Sequence, residues 1–249
     1  MKSARVMTAM AVWVFGVAWS PARSVGQCCG DCSGDGSVTI NELVTAVNNA
    51  LGRCENPGPT CALLASGQTT DYGPGSDGDV RAGAALSYTD NGDGTITDNN
   101  TGLMWEKKDD SGGIHGMANG YTWGMPSEPY TMDGTMVTTF LATLNTPSCF
   151  AGHCDWRIPN VKELQSIVDY EIPNPGPTVN AAFHNAAGCP GCTDVTLASC
   201  SCTASGEYWS STTSRDFPGY AWYVGFGDGD VDDDRKGFTN AVRAVRGGL

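Results

Sequence analysis

Asp155-Trp-Arg-Ile-Pro-Asn-Val-Lys-Glu-Leu-Gln-Ser-Ile-Val-Asp169 is the stretch on which the fold turns. Asn160 is a helix N-cap, whose side-chain oxygen accepts from the orphan N–H groups of a first turn. Glu163, three residues on, completes a capping box. Val161, Leu164, Ile167 and Val168 then form one apolar stripe, which makes this the clearest helix in the chain. C-terminal to it the pattern becomes strand-like, with Tyr208–Thr212, Ala221–Phe226, a Gly-Asp-Gly turn and Ala241–Arg246. N-terminal to it, Ala85–Thr89 leads into the turn Asp90-Asn-Gly-Asp-Gly94 and Thr95–Thr97 leads out, as in a hairpin. A second turn at 98–102 precedes Leu103-Met104-Trp105-Glu106, and Met136–Asn145 reads as a further helix. Residues 109–135 and 172–206 read as irregular excursions. Helices and strands are segregated rather than alternating, so the expected class is α+β with an antiparallel sheet and one main helix.

Moving outward, the chain opens with Lys2 and Arg5, an uncharged run from Met7 to Trp19, and small residues at Ser20 and Ala22. About 13 apolar residues are too few to cross a bilayer, so 1–26 is expected to be a secretory signal peptide. A lipoprotein anchor at Cys28 is the rival, and Gln27 before it fits that poorly. No later stretch is long and apolar enough to span, so no transmembrane anchor is expected and the protein is read as secreted or cell-surface. Eleven cysteines in an exported chain favour disulfides over redox thiols. The formal charge is −13; loss of Lys2 and Arg5 makes it −15, and loss of Arg23 also makes it −16. Such a surface repels phosphate backbones, so no nucleic-acid partner is expected, and it argues against strong binding of sulfated sugars.

Residues 31–42, Asp-Cys-Ser-Gly-Asp-Gly-Ser-Val-Thr-Ile-Asn-Glu, have the spacing of an EF-hand calcium loop. Asp31, Ser33 and Asp35 occupy positions 1, 3 and 5, and Gly36 provides the turn at 6. Ser37 offers its carbonyl at 7, Thr39 stands at 9, and Glu42 closes the loop at 12. A helix with Leu43, Val47, Ala50 and Leu51 on one face should follow and end at Gly52. Cysteines, not a helix, precede the loop. This half EF-hand at 27–52 resembles one repeat of the dockerin family. Dockerins carry two repeats, so with one a cohesin-type partner is not expected. Calcium is the expected cofactor. Residues 53–65, with Pro57, Gly58 and Pro59 between Cys54 and Cys61, read as a linker to the large domain at 66–249.

Taken in order, Thr95–Trp105, Asp155–Asp169, Tyr208-Trp-Ser-Ser-Thr212, Ala221-Trp-Tyr-Val224 and Val242-Arg-Ala-Val-Arg-Gly-Gly248 resemble the Lcl C-terminal domain family, named for a bacterial collagen-like adhesin. The resemblance implies an exported bacterial domain and, for the namesake, adhesion to host glycosaminoglycans. The blocks also loosely resemble the C-type-lectin-like fold of formylglycine-generating enzymes, which share a segment entering a helix and an Arg-Gly-Gly end. This chain departs from the namesake in having no collagen-like repeat, and in its acidity.

Candidate chemistry is sparse. His153-Cys154-Asp155 has the letters of a thiol protease, but Cys149 and Cys154 are placed to close a small disulfide loop. Cys189, Cys192, Cys200 and Cys202 read as two disulfides, with zinc as the alternative. Asp228, Asp230, Asp232, Asp233 and Asp234 read as a solvated hairpin end with Arg235 and Lys236 as partial counter-charges, or as a second calcium site. Trp105, Trp156, Trp209 and Trp222 are expected in the core. Tyr121, Trp123 and Tyr220, read as loop residues, are the candidates for stacking on sugar rings. Arg157, Arg243 and Arg246 are expected to make structural hydrogen bonds. No residue set fixes a catalytic centre, so the chain is read as a non-enzymatic, adhesin-like module for a surface glycan or protein. Rival readings are a carbohydrate-processing protein with a dockerin-like targeting repeat and a structural envelope module.

Overall fold

The computed structural model describes residues 63–247. The expected leader, the calcium loop from Asp31 to Glu42 and nearly all of the linker lie outside the described residues. Mixed helix and antiparallel sheet follow, as the segregated pattern predicts. The hairpin β1 (Tyr88–Asp90) to β2 (Thr95–Asp98) turns through the Asn-Gly-Asp-Gly segment, and β3 (Met104–Glu106) adds the third strand. The C-terminal β9 (Val245–Arg246) returns beside β3, giving the order β1-β2-β3-β9. A three-stranded sheet is built from β5 (Glu207–Thr213), β6 (Tyr220–Gly225) and β7 (Val231–Arg235). A two-stranded ribbon pairs β4 (Tyr121–Thr122) with β8 (Thr239–Asn240).

Gly94 shows why the first hairpin needs glycine. Its φ is +93°, and a Cβ there would lie 2.9 Å from Val195 Cγ2 and 3.0 Å from the Phe150 ring.

Of the helices, α1 (Asp77–Val80) is a single turn, and a π-helical segment, Met136–Leu141, runs into α2 (Ala142–Leu144). The helix expected after Asn160 is α3, Val161–Gln165. Both halves of its capping box form: Asn160 Oδ1 accepts from the N–H groups of Lys162 and Glu163 at 2.9 Å, and Glu163 Oε2 accepts from Asn160 N–H at 2.8 Å. The helix is shorter than its apolar stripe. Ser166 N–H is shared between the carbonyls of Lys162 and Glu163, and the Ser166 hydroxyl donates to Glu163 O at 2.6 Å, which tightens and ends the turn. Ile167 and Val168 still reach the core, with Val168 bridged to Val179.

In the three-stranded sheet β5 is buried on both faces at Tyr208 and Trp209, while β7 is the exposed edge. Tyr208 and Val224 are cross-strand partners and pack in one core with Trp105, Leu164, Phe183 and Phe226. Trp209 points the other way and joins Ala221, Trp123, Phe140, Trp156 and Ile158 in a second core. Trp105, Trp156 and Trp209 are thus buried as expected, whereas Trp222 is only half-buried. The six cysteines among the described residues pair as Cys149–Cys154, Cys189–Cys202 and Cys192–Cys200, the last two nested in one loop.

Residues 109–135 are not simply a surface excursion. They supply β4 and buried side chains at Lys108–Asp109, Tyr121, Trp123 and Met136 on either side and within. The pattern is unreadable locally because β4 is two residues long and its partner strand is distant in sequence.

Candidate functional site

Tyr121, Trp123 and Tyr220, the three expected stacking residues, part company. Tyr121 lies in β4 at 7% exposure, and Trp123 follows it at 3%. Trp123 Nε1 donates to Ser210 O at 2.8 Å, and Tyr121 O accepts from Trp209 Nε1 at 2.9 Å. Both are core residues, and neither offers a ring face to a sugar; Trp123 lies in a loop as expected, whereas Tyr121 in β4 and Tyr220 in β6 are strand residues. The physical reason is that the β4–β8 ribbon folds this polar, glycine-rich stretch over Trp209. Tyr220, half-buried at the start of β6, stays at the surface. Arg235 Nε donates to its hydroxyl at 3.1 Å, and the guanidinium lies 5.9 Å from the ring centre. Phe217 meets the same ring edge-on at 6.0 Å.

Around Tyr220 three loops converge at one end of the three-stranded sheet: 124–134, 214–219 and 236–238. Pro126 is their meeting point. A Cβ at Gly219 would sit 2.6 Å from Pro126 O, and one at Gly237 would touch the Pro126 ring at 3.6 Å, so only glycine permits the first approach. Lys236 pins the assembly from inside. It is fully buried, its Nζ donates to Tyr130 O (2.9 Å) and Thr213 Oγ1 (3.0 Å), and it lies 3.8 Å from the Trp123 ring centre. Its N–H donates to Gly219 O and its carbonyl accepts from Trp123 N–H. Lys236 is therefore not a counter-charge for the aspartates, and Arg235 is turned to Tyr220. Each pinned loop presents a large apolar side chain to water: Met125 at 58%, Phe217 at 63% and Phe238 at 55% exposure. Scattered exposed hydrophobics are ordinary, but three on converging, internally tied loops make this end of the sheet the candidate contact surface.

The 124–134 loop also borders an open cavity of about 460 Å³ lined by Met132, Leu141, Arg157, Ile158, Asn160, Glu163 and Ser211. Four of these belong to the stretch that decides the fold. Arg157 donates to both oxygens of Glu163, at 2.8 and 2.6 Å, and to Gly247 O at 2.9 Å. Burial works to raise the Glu163 carboxyl, but the bond from Arg157 outweighs it and holds the group below its ordinary value. Arg157, Arg243 and Arg246 are structural as expected: Arg243 donates to Glu106 O, Cys202 O and Thr203 Oγ1, and Arg246 to Asp155.

The other concentration of charge is internal. Glu106 is fully buried, 3.0 Å from Lys108 Nζ and 2.8 Å from His115 Nδ1, and accepts from Ala244 N–H at 3.0 Å. Burial alone would raise its carboxyl, but Lys108 and His115 hold it low. Every oxygen of Glu106 is committed to holding β3, the 109–117 segment and the C-terminal strand together.

Of the aspartate run, Asp228 and Asp230 lie in the β6–β7 hairpin end as expected, whereas Asp232, Asp233 and Asp234 are strand. Gly225 N–H donates to Asp230 O and Lys236 N–H donates to Gly219 O, so even-numbered residues of β7 pair with β6. The N–H groups of Asp233 and Arg235 therefore point off the sheet edge. Asp232 Oδ1 accepts from the first at 2.8 Å, and Asp234 Oδ1 from the second at 2.7 Å. The carboxylates cover an edge that would otherwise template strand pairing. Among the described residues no group of three His, Cys, Asp or Glu side chains is arranged to hold a metal ion. Tyr223 beside them is pushed up to about 12 by burial and by Asp230 and Asp232.

Sequence reasoning missed Phe217, Phe238 and Met125. The available signal was a large apolar side chain inside turn-type sequence, as in Asp216-Phe-Pro-Gly219 and Lys236-Gly-Phe238. The geometry defines a small antiparallel α+β domain, tied by disulfides and buried charge, with exposed apolar side chains on the loops at one sheet end. The Lcl C-terminal domain family matches residues 94–246, and the chain belongs to that family. No curated protein matches the chain.

Proposed function

We propose that the protein is an exported, adhesin-like binding module that recognises a surface glycan or protein through the rim around Tyr220, without catalysis. The observation that carries this is the exposure of Met125, Phe217 and Phe238 on loops fixed by Lys236 and Pro126. Aromatic side chains make contact area at little entropic cost, and a thioether adapts its shape to what it meets. Three disulfides among the described residues agree with export, and no helix among those residues is long and apolar enough to cross a membrane. The return of β9 beside β3 supports a C-type-lectin-like kinship. Calcium at Asp31, Ser33, Asp35, Ser37, Thr39 and Glu42 belongs to the same reading and rests on their spacing.

The test is a glycan and surface-protein array probed with the wild type and with Phe217→Ser/Tyr220→Ala, in calcium and in chelator. Hits lost in the variant support the rim. Hits that survive it intact remove the rim from recognition. For the calcium loop, Glu42→Gln should weaken calcium binding by calorimetry at least about tenfold, since it removes a bidentate ligand; unchanged affinity would end that part of the reading.

A further inference from the structure

The rim's own neighbours indicate what kind of partner it takes. Glu128 and Asp133 lie on the first loop, Asp216 directly precedes Phe217, and Asp232 and Asp234 lead along β7 toward Phe238. The first four are exposed and Asp234 is half-buried. Asp232 and Asp234 each use one oxygen on the strand edge, which leaves the second oxygen free. Opposing cations are few at the surface: Lys236 is buried, and Arg235 is engaged with Tyr220, so Lys162 and Arg215 are the exposed basic side chains without a hydrogen bond among the described residues. Asp234 and Phe238 are four residue steps apart, at most about 14 Å. That is close to the screening length of about 10 Å at ordinary salt, so these charges act on whatever covers the rim. Over the whole chain, 27 acidic side chains face 14 basic ones.

Resting on the rim reading above, we propose that the rim docks a basic protein segment, in which one or two large apolar side chains are flanked by lysine or arginine. The apolar side chains cover Phe217, Phe238 and Met125, and the flanking cations meet the ring of carboxylates. A sulfated polysaccharide would meet like charge at every side of the surface. A neutral one would make no use of the negative charge beside the apolar side chains.

The test uses the purified full chain and three labelled probes followed by fluorescence anisotropy: a 12-residue peptide alternating Lys and Phe, its Glu/Phe counterpart, and a heparin oligosaccharide. The Lys/Phe peptide should bind, and raising salt from about 50 to about 300 mM should weaken it about tenfold or more. Phe217→Ser/Phe238→Ser should weaken it about tenfold at low salt, with the thermal melt unchanged. Failure of the Lys/Phe peptide to bind overturns the proposal. Equal binding of the Glu/Phe peptide or heparin, lost in the double variant, also overturns it while leaving the rim as the binding surface. Binding of the Lys/Phe peptide that the double variant leaves unchanged is diffuse charge attraction, and removes the rim as well.

Discussion

Around Glu106 charged side chains are turned inward, whereas around Phe217 apolar ones are turned outward. The Glu106 end combines a buried carboxylate, Lys108, Arg243 and two nested disulfides, so that a loop-rich segment is held by specific partners. The Phe217 end has one buried cation, Lys236, whose work is to fix three loops while their tips stay exposed. The difference teaches that buried charge here serves position in both places, but only one end leaves surface unspent on folding. Breaking each end should therefore give opposite signatures in stability and binding.

The largest expected effect is at the buried end. Glu106→Ala leaves Lys108 and Arg243 buried near a lost counter-charge and should cost about 3–5 kcal/mol in denaturant unfolding. A loss under about 1 kcal/mol would show that the network carries no specific load. The same group sets an acid limit. Its folded pKa is held below the ordinary value, as is that of Glu163, so both stabilise above the unfolded carboxylate value of about 4.3 and lose that contribution as pH falls through their folded values. Glu163 is less buried and counts for less. Melting temperature should therefore fall below about pH 4.3, and more gently in Glu106→Ala than in wild type.

Next comes the loop tied by Cys189–Cys202, residues 13 apart. Replacing both cysteines by alanine should cost about 2–4 kcal/mol, mainly through a freer unfolded chain. Peptide binding at the rim should be unchanged below the lowered melting temperature. A rim that loses binding in parallel would join the two ends into one unit and erase the comparison.

What could be read in the sequence divides along similar lines. The Asn160–Glu163 cap, the Asn-Gly-Asp-Gly hairpin and the β5 and β6 blocks are local signals, and the structure repeats them. β7 escaped because Val231-Asp-Asp-Asp-Arg235 has no apolar alternation; it is a strand only by its ladder to β6. Tyr121 and Trp123 were misplaced because their burial depends on β8 and Trp209, far along the chain. Lys236 sits beside the aspartates in sequence, yet its side chain turns under Trp123, which charge counting cannot see. Of the site, Tyr220 was legible as a surface aromatic. Its neighbours were not, because convergence on Pro126 is a property of the folded loops.

The smallest effect on stability, and the sharpest on behaviour, belongs to Asp232 and Asp234. Both carboxylates lie on an edge strand and accept from outward N–H groups of their own chain. Replacing both by alanine removes two exposed local hydrogen bonds, so the cost should stay within about 0.5 kcal/mol. It also leaves two edge N–H groups bare and deletes two negative charges, which together oppose pairing of one copy with another. Sedimentation should then show concentration-dependent self-association in the double variant and none in wild type at the same concentration. Asp232→Asn/Asp234→Asn separates the two causes, because each amide oxygen can still accept from the edge N–H while the charge is gone. A monomeric asparagine variant beside an associating alanine variant would assign the guard to hydrogen bonding; association of both would assign it to charge. If both stay monomeric, the edge is protected by something other than its aspartates, and the acid run is left to the docking surface alone.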